Sequence, residues 1–214
     1  MADWDYGGAH RRYDMTGEIA LPYGSRVQAI DWTVDLPSFM REIDTLIVDP
    51  PWNLGNVKSF YTKADEPYVG LDWTEFMACF WSRVDAIAPR HLFLEMGKEA
   101  LGRCLIACEE RWRYVTFYNC TYYRKRDNKC YFIHATDEHK RRRYPSLEDQ
   151  DEADLIAWLC EHHASPCVGD LCMGLGLVGK HAYLNRRRFV GTELNPKRLA
   201  VLVDFIRTQE AAHA

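Results

Sequence analysis

The chain has 214 residues, of which 47% are apolar, and its 27 lysines and arginines stand against 31 acids for a formal net charge of −4. That is enough apolar material for one sizeable core in a single domain, and the charge balance excludes an overall polycation. No apolar run is long enough to span a membrane, so a membrane-embedded class is excluded as well. Residues 1–14 are polar, aromatic and charged rather than a secretory signal, and a cytoplasmic protein is expected. The eight cysteines form no Cys-x-x-Cys pair, and Cys79, Cys104, Cys108 and Cys160 fall in helix-like apolar stretches. Buried, reduced thiols are expected. His162-His163 near Cys160 and Cys167 has no ligand spacing, so no metal is expected.

Along the chain the elements alternate as in an α/β sheet. Residues 1–24 show little periodicity and read as an N-terminal arm that orders only against the core or a partner; a single domain then spans 25–210. Thr45-Leu46-Ile47-Val48 is an apolar strand that runs out into Asp49-Pro50-Pro51-Trp52. Strand ends are where such sheets build sites, and two prolines make this turn stiff, with outward carbonyls beside one carboxylate and one large aromatic face. Alone, the string also fits a strand-end turn around a core tryptophan. Lys58, Phe60 and Tyr61 follow in a loop.

A helix opens near Leu71 with Thr74 as its cap, carries Phe76, Phe80, Val84 and Ile87 on one face, and ends at Pro89. His91 to Met96 reads as a strand, Glu99 to Trp112 as a helix, and Tyr114 to Tyr123 with Cys130 to His134 as an antiparallel hairpin. Ser146 caps an acidic helix start at Leu147 to Asp154. A strand ending at Asp170 then enters a glycine-rich turn, Gly174-Leu175-Gly176, followed by a helix to Leu184 and a strand from Arg188 to Glu193. A last helix runs from Pro196 to about Gln209. Such a Gly-x-Gly with a later acid fits nicotinamide, flavin and S-adenosylmethionine sites alike, and also a plain tight turn.

Together the two motifs narrow the choice. Asp49-Pro50-Pro51-Trp52 resembles the catalytic motif of amino methyltransferases acting on nucleobases. Asp170 to Gly176 and Glu193-Leu194-Asn195-Pro196 resemble the cofactor half of the permuted, β-class enzymes, in which the catalytic motif comes first in the chain. The resemblance covers residues 25–205 as an arrangement and is specific at 49–53, 170–176 and 189–196. The RNA N6-adenosine methyltransferases share the Asp-Pro-Pro-Trp string and the permuted order. Departures are Leu171 and Cys172 in place of Pro-Phe, and Leu175, Leu177 and Val178 where hydroxyl residues are common.

The resemblance implies a Rossmann-like α/β methyltransferase fold: a mixed, mostly parallel sheet with an antiparallel hairpin, helices on both faces, a catalytic half at about 25–118 and a cofactor half at about 145–210. It implies S-adenosylmethionine as cofactor and methylation of adenine N6 in DNA, with adenine N6 in RNA and cytosine N4 in DNA as variants. A catalytically silent nucleic-acid-binding partner subunit is the reading of another class. A methyltransferase of protein glutamine or a small molecule, and a nicotinamide dehydrogenase, fit less of the chain. Catalysis is implied for Asp49, Pro50, Pro51 and Trp52: Asp49 and the Pro50 carbonyl accept the amino N–H bonds while Trp52 stacks on the base. Cofactor binding is implied for Asp170, Cys172, Gly174, Gly176, Glu193 and Asn195, with the methionine part at Asp170 and the 174–176 backbone and the ribose at Glu193.

Residues 120–143 hold eight Lys or Arg against three acids, interleaved with Tyr122, Tyr123, Tyr131 and Phe132. Such a stretch suits phosphate contact and base stacking, although a solvated hairpin with charged tips has the same composition. The expected substrate-binding residues are Asn53, Lys58, Tyr61, Tyr122, Arg124, Lys125, Arg126, Arg141 and Arg142. There is little room for a target-recognition insert, so sequence specificity is expected to be low or supplied by a homodimer or partner subunit. A prokaryotic or phage origin suits the compactness. Arg186-Arg187-Arg188 reads as a surface turn.

Overall fold

The computed structural model describes residues 5–213, apart from the side chains of Arg126 and His213. Its strands are β1 (Glu18–Leu21), β2 (Ser25–Ala29), β3 (Thr45–Val48), β4 (His91–Met96), β5 (Tyr114–Tyr122), β6 (Lys125–Thr136), β7 (Val168–Asp170) and β8 (Phe189–Glu193). They form one sheet in the order β1-β2-β8-β7-β3-β4-β6-β5. The five strands from β2 to β4 run parallel, while β1 and the β5–β6 hairpin are antiparallel to their neighbours. The helices are α1 (Leu54–Ala64), α2 (Trp73–Ile87), α3 (Lys98–Glu109), α4 (Glu152–His162), α5 (Leu177–Leu184) and α6 (Pro196–His213). None among the described residues is long and apolar enough to cross a membrane.

Every residue of β3, β4, β7 and β8 is buried, as parallel strands covered on both faces must be. Alternation along the strands sends Ile47 and Phe93 into a core shared with α4, α5 and α6, and Leu46, Val48, Leu92 and Leu94 into one shared with α2 and α3. From β7 the chain crosses through α5 to β8 on one side, and from β3 through α1 and α2 to β4 on the other. The neighbouring strands β7 and β3 therefore mark the point where the winding reverses, and a crevice opens beyond their carboxyl ends.

Several local expectations are corrected. Residues 54–64 are a helix rather than a loop: Val57, Tyr61 and Ala64 repeat at helical spacing and are buried, and Asn53 caps the first turn by accepting from the Asn56 N–H at 2.9 Å. Helix α2 is capped by Asp72 rather than Thr74, in a reciprocal box with Glu75. Helix α4 starts at Glu152 under Asp151, not under Ser146, because Pro145–Leu147 closes a separate 3-10 turn. Helix α3 stops at Glu109, short of Trp112, and α6 continues past Gln209 to His213. The described part of the N-terminal segment lies on the core: β1 pairs with β2, the Tyr13 hydroxyl donates to Asp204 at 2.9 Å, and Arg12 pairs with the same carboxylate.

Arg187 and Arg188 are not free surface charges. Arg187 donates to the carbonyls of Glu161 and His163, and Arg188 to Gly24 and Glu42. All eight cysteines are free thiols. Among the described residues no group of three or more His, Cys, Asp and Glu is arranged to hold a metal ion.

Candidate active site

A cavity of about 550 Å³ lies at the reversal point, walled by Asp49 after β3, Glu95 on β4, Asp170 on β7, Glu193 on β8 and Asp31 just beyond β2. Tyr61 of α1, Tyr122 of β5, Glu152 of α4 and Arg198 of α6 complete the wall. A cavity of this size falls in the range that holds a small molecule.

Asp49 is fixed by its own motif. The Trp52 indole N–H donates to Asp49 Oδ1 at 2.7 Å. That indole is seated against Gly97, where a Cβ would come within 2.7 Å of the ring, and beside Tyr122, whose ring centre is 5.1 Å away. Asp49 and Pro51 line the cavity, whereas Pro50 is buried behind it and Trp52 braces Asp49 from the side. Enclosure raises the Asp49 carboxyl to about 7; the Trp52 bond opposes the rise, the negative Glu152 adds to it and Arg198 opposes it.

Across the crevice, Glu193 is tied at both oxygens: Gly174 N–H donates to Oε2 at 2.7 Å and Asn195 N–H to Oε1 at 3.0 Å. This clamp fixes the β7 turn onto the end of β8. Asp170 accepts from the Cys172 N–H at 2.8 Å. Burial pushes both carboxyls upward, with Asp49 and Glu193 adding to the shift at Asp170 and Arg198 opposing it at Glu193. Asp170, Cys172, Gly174 and Glu193 line the cavity. Gly176 and Asn195 support it from behind. Gly176 takes φ +78° with Leu202 2.6 Å from where a Cβ would sit, so both turn and packing require glycine. Asn195 caps α6 through Lys197 N–H at 2.9 Å and donates to the Lys63 carbonyl, joining the end of α1 to β8.

The expected substrate residues, Arg126 aside, divide into four groups. Tyr61 and Tyr122 line the cavity, with the Tyr61 hydroxyl donating to Asp31 at 2.6 Å. Arg124 and Lys125 are exposed at the tip of the β5–β6 hairpin, next to Tyr122 and therefore at the cavity's edge. Asn53 and Lys58 are exposed on α1 outside the lining, one as a helix cap and the other 6.0 Å over the Tyr68 ring. Arg141 and Arg142 are not brought to the site. Strand β6 runs antiparallel to β4, with Tyr131 opposite Met96 and Thr136 opposite His91, so residues 139–143 emerge at the amino end of the parallel strands. There Arg141 donates to the Ala164 carbonyl at 2.8 Å and Arg142 sits over Tyr114. The side chain of Arg126 lies outside the described residues. The basic segment 120–143 is thus two separate clusters.

Sequence reasoning missed Glu95, Glu152, Asp31 and Arg198. Glu95 had a signal, since it is the one charged side chain within the apolar strand Leu92 to Met96, and a buried acid at a strand end marks a site. Glu152 was hidden in an acidic helix start. The long loop-like stretch before β3 obscured Asp31, and Arg198 has no motif of its own.

No family model matches this chain, and no curated protein matches its sequence. Solved structures match over most of its length. The M1.HpyAVI–SAM complex superposes with a TM-score of 0.57 at 14% identity, covering 84% of this chain and 98% of that one. TTHA0409 from Thermus thermophilus, a candidate DNA modification methylase complexed with S-adenosyl-L-methionine, gives 0.56 at 13%, over 86% and 94%. The cytosine-N4-specific PvuII DNA methyltransferase gives 0.56 at 12%, over 87% and 89%. At these identities the likeness is one of fold, and the α/β methyltransferase fold implied by the sequence is the fold found.

Proposed function

We propose that this chain is an S-adenosylmethionine-dependent methyltransferase acting on an exocyclic amino group of DNA, with N6 of adenine as the target that Asp49-Pro50-Pro51-Trp52 favours. One observation carries the reading: the Asp49 carboxyl and the Glu193–Gly174 clamp face one cavity from opposite sides of the reversal point. The fold neighbours bound to S-adenosylmethionine support the cofactor, and those described as DNA methylases support the polymer.

The residues present fit that cofactor. The carboxyls in the cavity wall suit a positively charged sulfonium and an amino group, while Arg198, whose Nε is buried without a partner among the described residues, suits a carboxylate. Glu193 spends one lone pair per oxygen on backbone N–H groups and keeps others for ribose hydroxyls. When bound, the cofactor supplies an electrophilic methyl group on sulfur. The other tasks fall to the chain.

An adenine amino group has its lone pair delocalised into the ring and is out of reach inside a duplex, so the base must leave the stack. Tyr122 and Trp52 offer aromatic surface beside the cavity, and Arg124 and Lys125 at the hairpin tip suit the flanking phosphates. Ionised Asp49, held in one orientation by the Trp52 N–H, accepts an amino N–H. That bond favours a pyramidal, nucleophilic nitrogen, and the carboxylate stabilises the positive charge that develops there. The nitrogen then loses one proton, and Asp49 is the nearest base.

Transfer of a labelled methyl group to duplex DNA, single-stranded DNA and RNA, followed by nucleoside analysis, tests the reading. N6-methyladenine in DNA is expected. N4-methylcytosine would move the target to the second reading, which the fold likeness to the cytosine-N4-specific PvuII enzyme favours. Label in RNA alone would change the polymer. Cofactor binding with no transfer to any polymer would favour a silent partner subunit.

A further inference from the structure

Glu95 has no task in the mechanism above, yet it faces the reacting site. Strands β3 and β4 pair in parallel with Val48 opposite Leu94, so Asp49 and Glu95 are the next positions on two adjacent strands. Alternation puts both side chains on the face of Ile47 and Phe93, and both line the cavity. Glu95 is 2% exposed, and its Oε1 has no hydrogen-bond partner among the described residues. A buried carboxyl oxygen left without a partner at a cavity wall is costly unless a ligand completes it.

We propose that Glu95 is a base-reading residue, donating a hydrogen bond to the ring nitrogen next to the target amino group while Asp49 accepts from the amino group itself. The inference rests on the function proposed above and deepens it. Desolvation, the neighbouring Asp49 and Glu152, and a hydrogen bond with Cys130 shift the Glu95 carboxyl upward, toward the protonated form that has an O–H to give. Adenine at N1 and N6, and cytosine at N3 and N4, present a ring acceptor beside an amino donor. A donor at Glu95 and an acceptor at Asp49 match that edge in one orientation. Guanine and thymine reverse it, directing a carbonyl oxygen at the Asp49 carboxylate and a ring N–H at the Glu95 donor. The pair therefore selects amino-bearing bases with an adjacent ring acceptor and leaves the choice between adenine and cytosine to the shape of the cavity.

The test pairs Glu95 variants with substrates that lack the ring nitrogen. Duplexes carrying adenine or 1-deazaadenine at the methylated position (3-deazacytosine, should cytosine be the product) are compared by kcat/KM for the wild-type chain, Glu95→Gln and Glu95→Leu. Calorimetric binding of S-adenosylmethionine checks that each variant is folded. The wild-type chain should prefer the natural base by about tenfold to a hundredfold, the cost of an unmatched buried donor. Glu95→Gln, which keeps an N–H donor, should retain the preference, and Glu95→Leu should lose it together with a comparable part of its activity on the natural base. Equal use of both bases by the wild-type chain, or an unchanged preference in Glu95→Leu, would overturn the inference and leave the methyltransferase reading standing. Absence of transfer by the wild-type chain on every polymer would overturn both.

Discussion

At the scale of single residues, Asp49 carries the proposed chemistry. Enclosure raises its carboxyl to about 7, and the groups that face it are Trp52 on its own turn, Glu95 and Asp170 from the neighbouring strands, Glu152 from α4 and Arg198 from α6. Its proposed role as acceptor needs the ionised form, so transfer should fall as pH drops through about 7, approaching tenfold per unit on the acid side. The Trp52 N–H favours that ionised form. Trp52→Phe, which keeps an aromatic ring against Gly97 and Tyr122, should therefore shift the acid limb of the pH–rate profile to higher pH. An unmoved limb would detach Trp52 from Asp49. Asp49, Asp170, Gly174 and Glu193 were legible in the sequence because motif spacing places them at strand ends. Glu95 and Arg198 were not, since their relation to the cavity depends on strand register and on the first turn of α6.

At the scale of elements, the β5–β6 hairpin and α1 carry the main differences between sequence and structure. The hairpin closes through Tyr123 and Arg124, both at φ +55°, a two-residue turn that normally favours Asn and Gly. It is held by α4: the Tyr123 N–H donates to Glu152 at 2.8 Å and the Arg124 N–H to Asp151 at 2.6 Å. The positive tip is thereby fixed at the cavity edge, while Arg141 and Arg142 are carried to the far end of the strands. Arg124→Ala and Lys125→Ala should each reduce the salt dependence of DNA binding by about one counterion. Arg141→Ala and Arg142→Ala should leave the slope of log K against log salt unchanged. The hairpin itself was readable from its β-branched and aromatic runs, but which end of the sheet each half reaches was not, because antiparallel pairing to β4 is a tertiary fact. Helix α1 was hidden for a different reason: Gly55, Asn56 and Lys58 dilute its pattern, and only Val57, Tyr61 and Ala64 are buried. Asn53→Ala should cost about 1 kcal/mol of stability by chemical denaturation through loss of the cap, with KM for DNA unaltered.

At the scale of the whole molecule, the sheet was legible wherever both faces are covered, since β3, β4, β7 and β8 read as short apolar runs between turn residues. The outer strands β1 and β2, half-buried and short, left no comparable pattern. Opposite the cavity, the amino ends of the strands enclose His91, His134 and His163 beneath Tyr144. Burial lowers all three, His134 to about 2 and His163 to about 3. In the unfolded chain these rings take up protons below about 6.5, whereas the folded chain holds them neutral. The unfolded state therefore binds more protons, and each histidine removes up to about 1.4 kcal/mol of stability per pH unit as pH falls below that value. The histidines thus contribute acid lability between about pH 6 and 4, while the raised carboxyls of the cavity act in the opposite sense over that range. His134 lies stacked on Phe93 with ring centres 4.1 Å apart, and neither of its nitrogens has a partner among the described residues. His134→Phe should raise Tm at pH 4 relative to pH 7 by comparison with the wild-type chain, and a Tm–pH curve parallel to that of the wild type would show that His134 makes no such contribution.

Asp49→Asn is the variant that tests the central claim most directly, because it keeps size and an acceptor oxygen for the Trp52 N–H while removing the negative charge. The measurement is single-turnover methyl transfer at saturating DNA, with cofactor binding followed by calorimetry on the same samples. The account predicts unchanged affinity for S-adenosylmethionine and a transfer rate lower by at least about a hundredfold, the loss typical of removing one group that stabilises charge in the transition state. Transfer within a few-fold of the wild-type rate would contradict it, and the site of chemistry would then have to be sought away from Asp49.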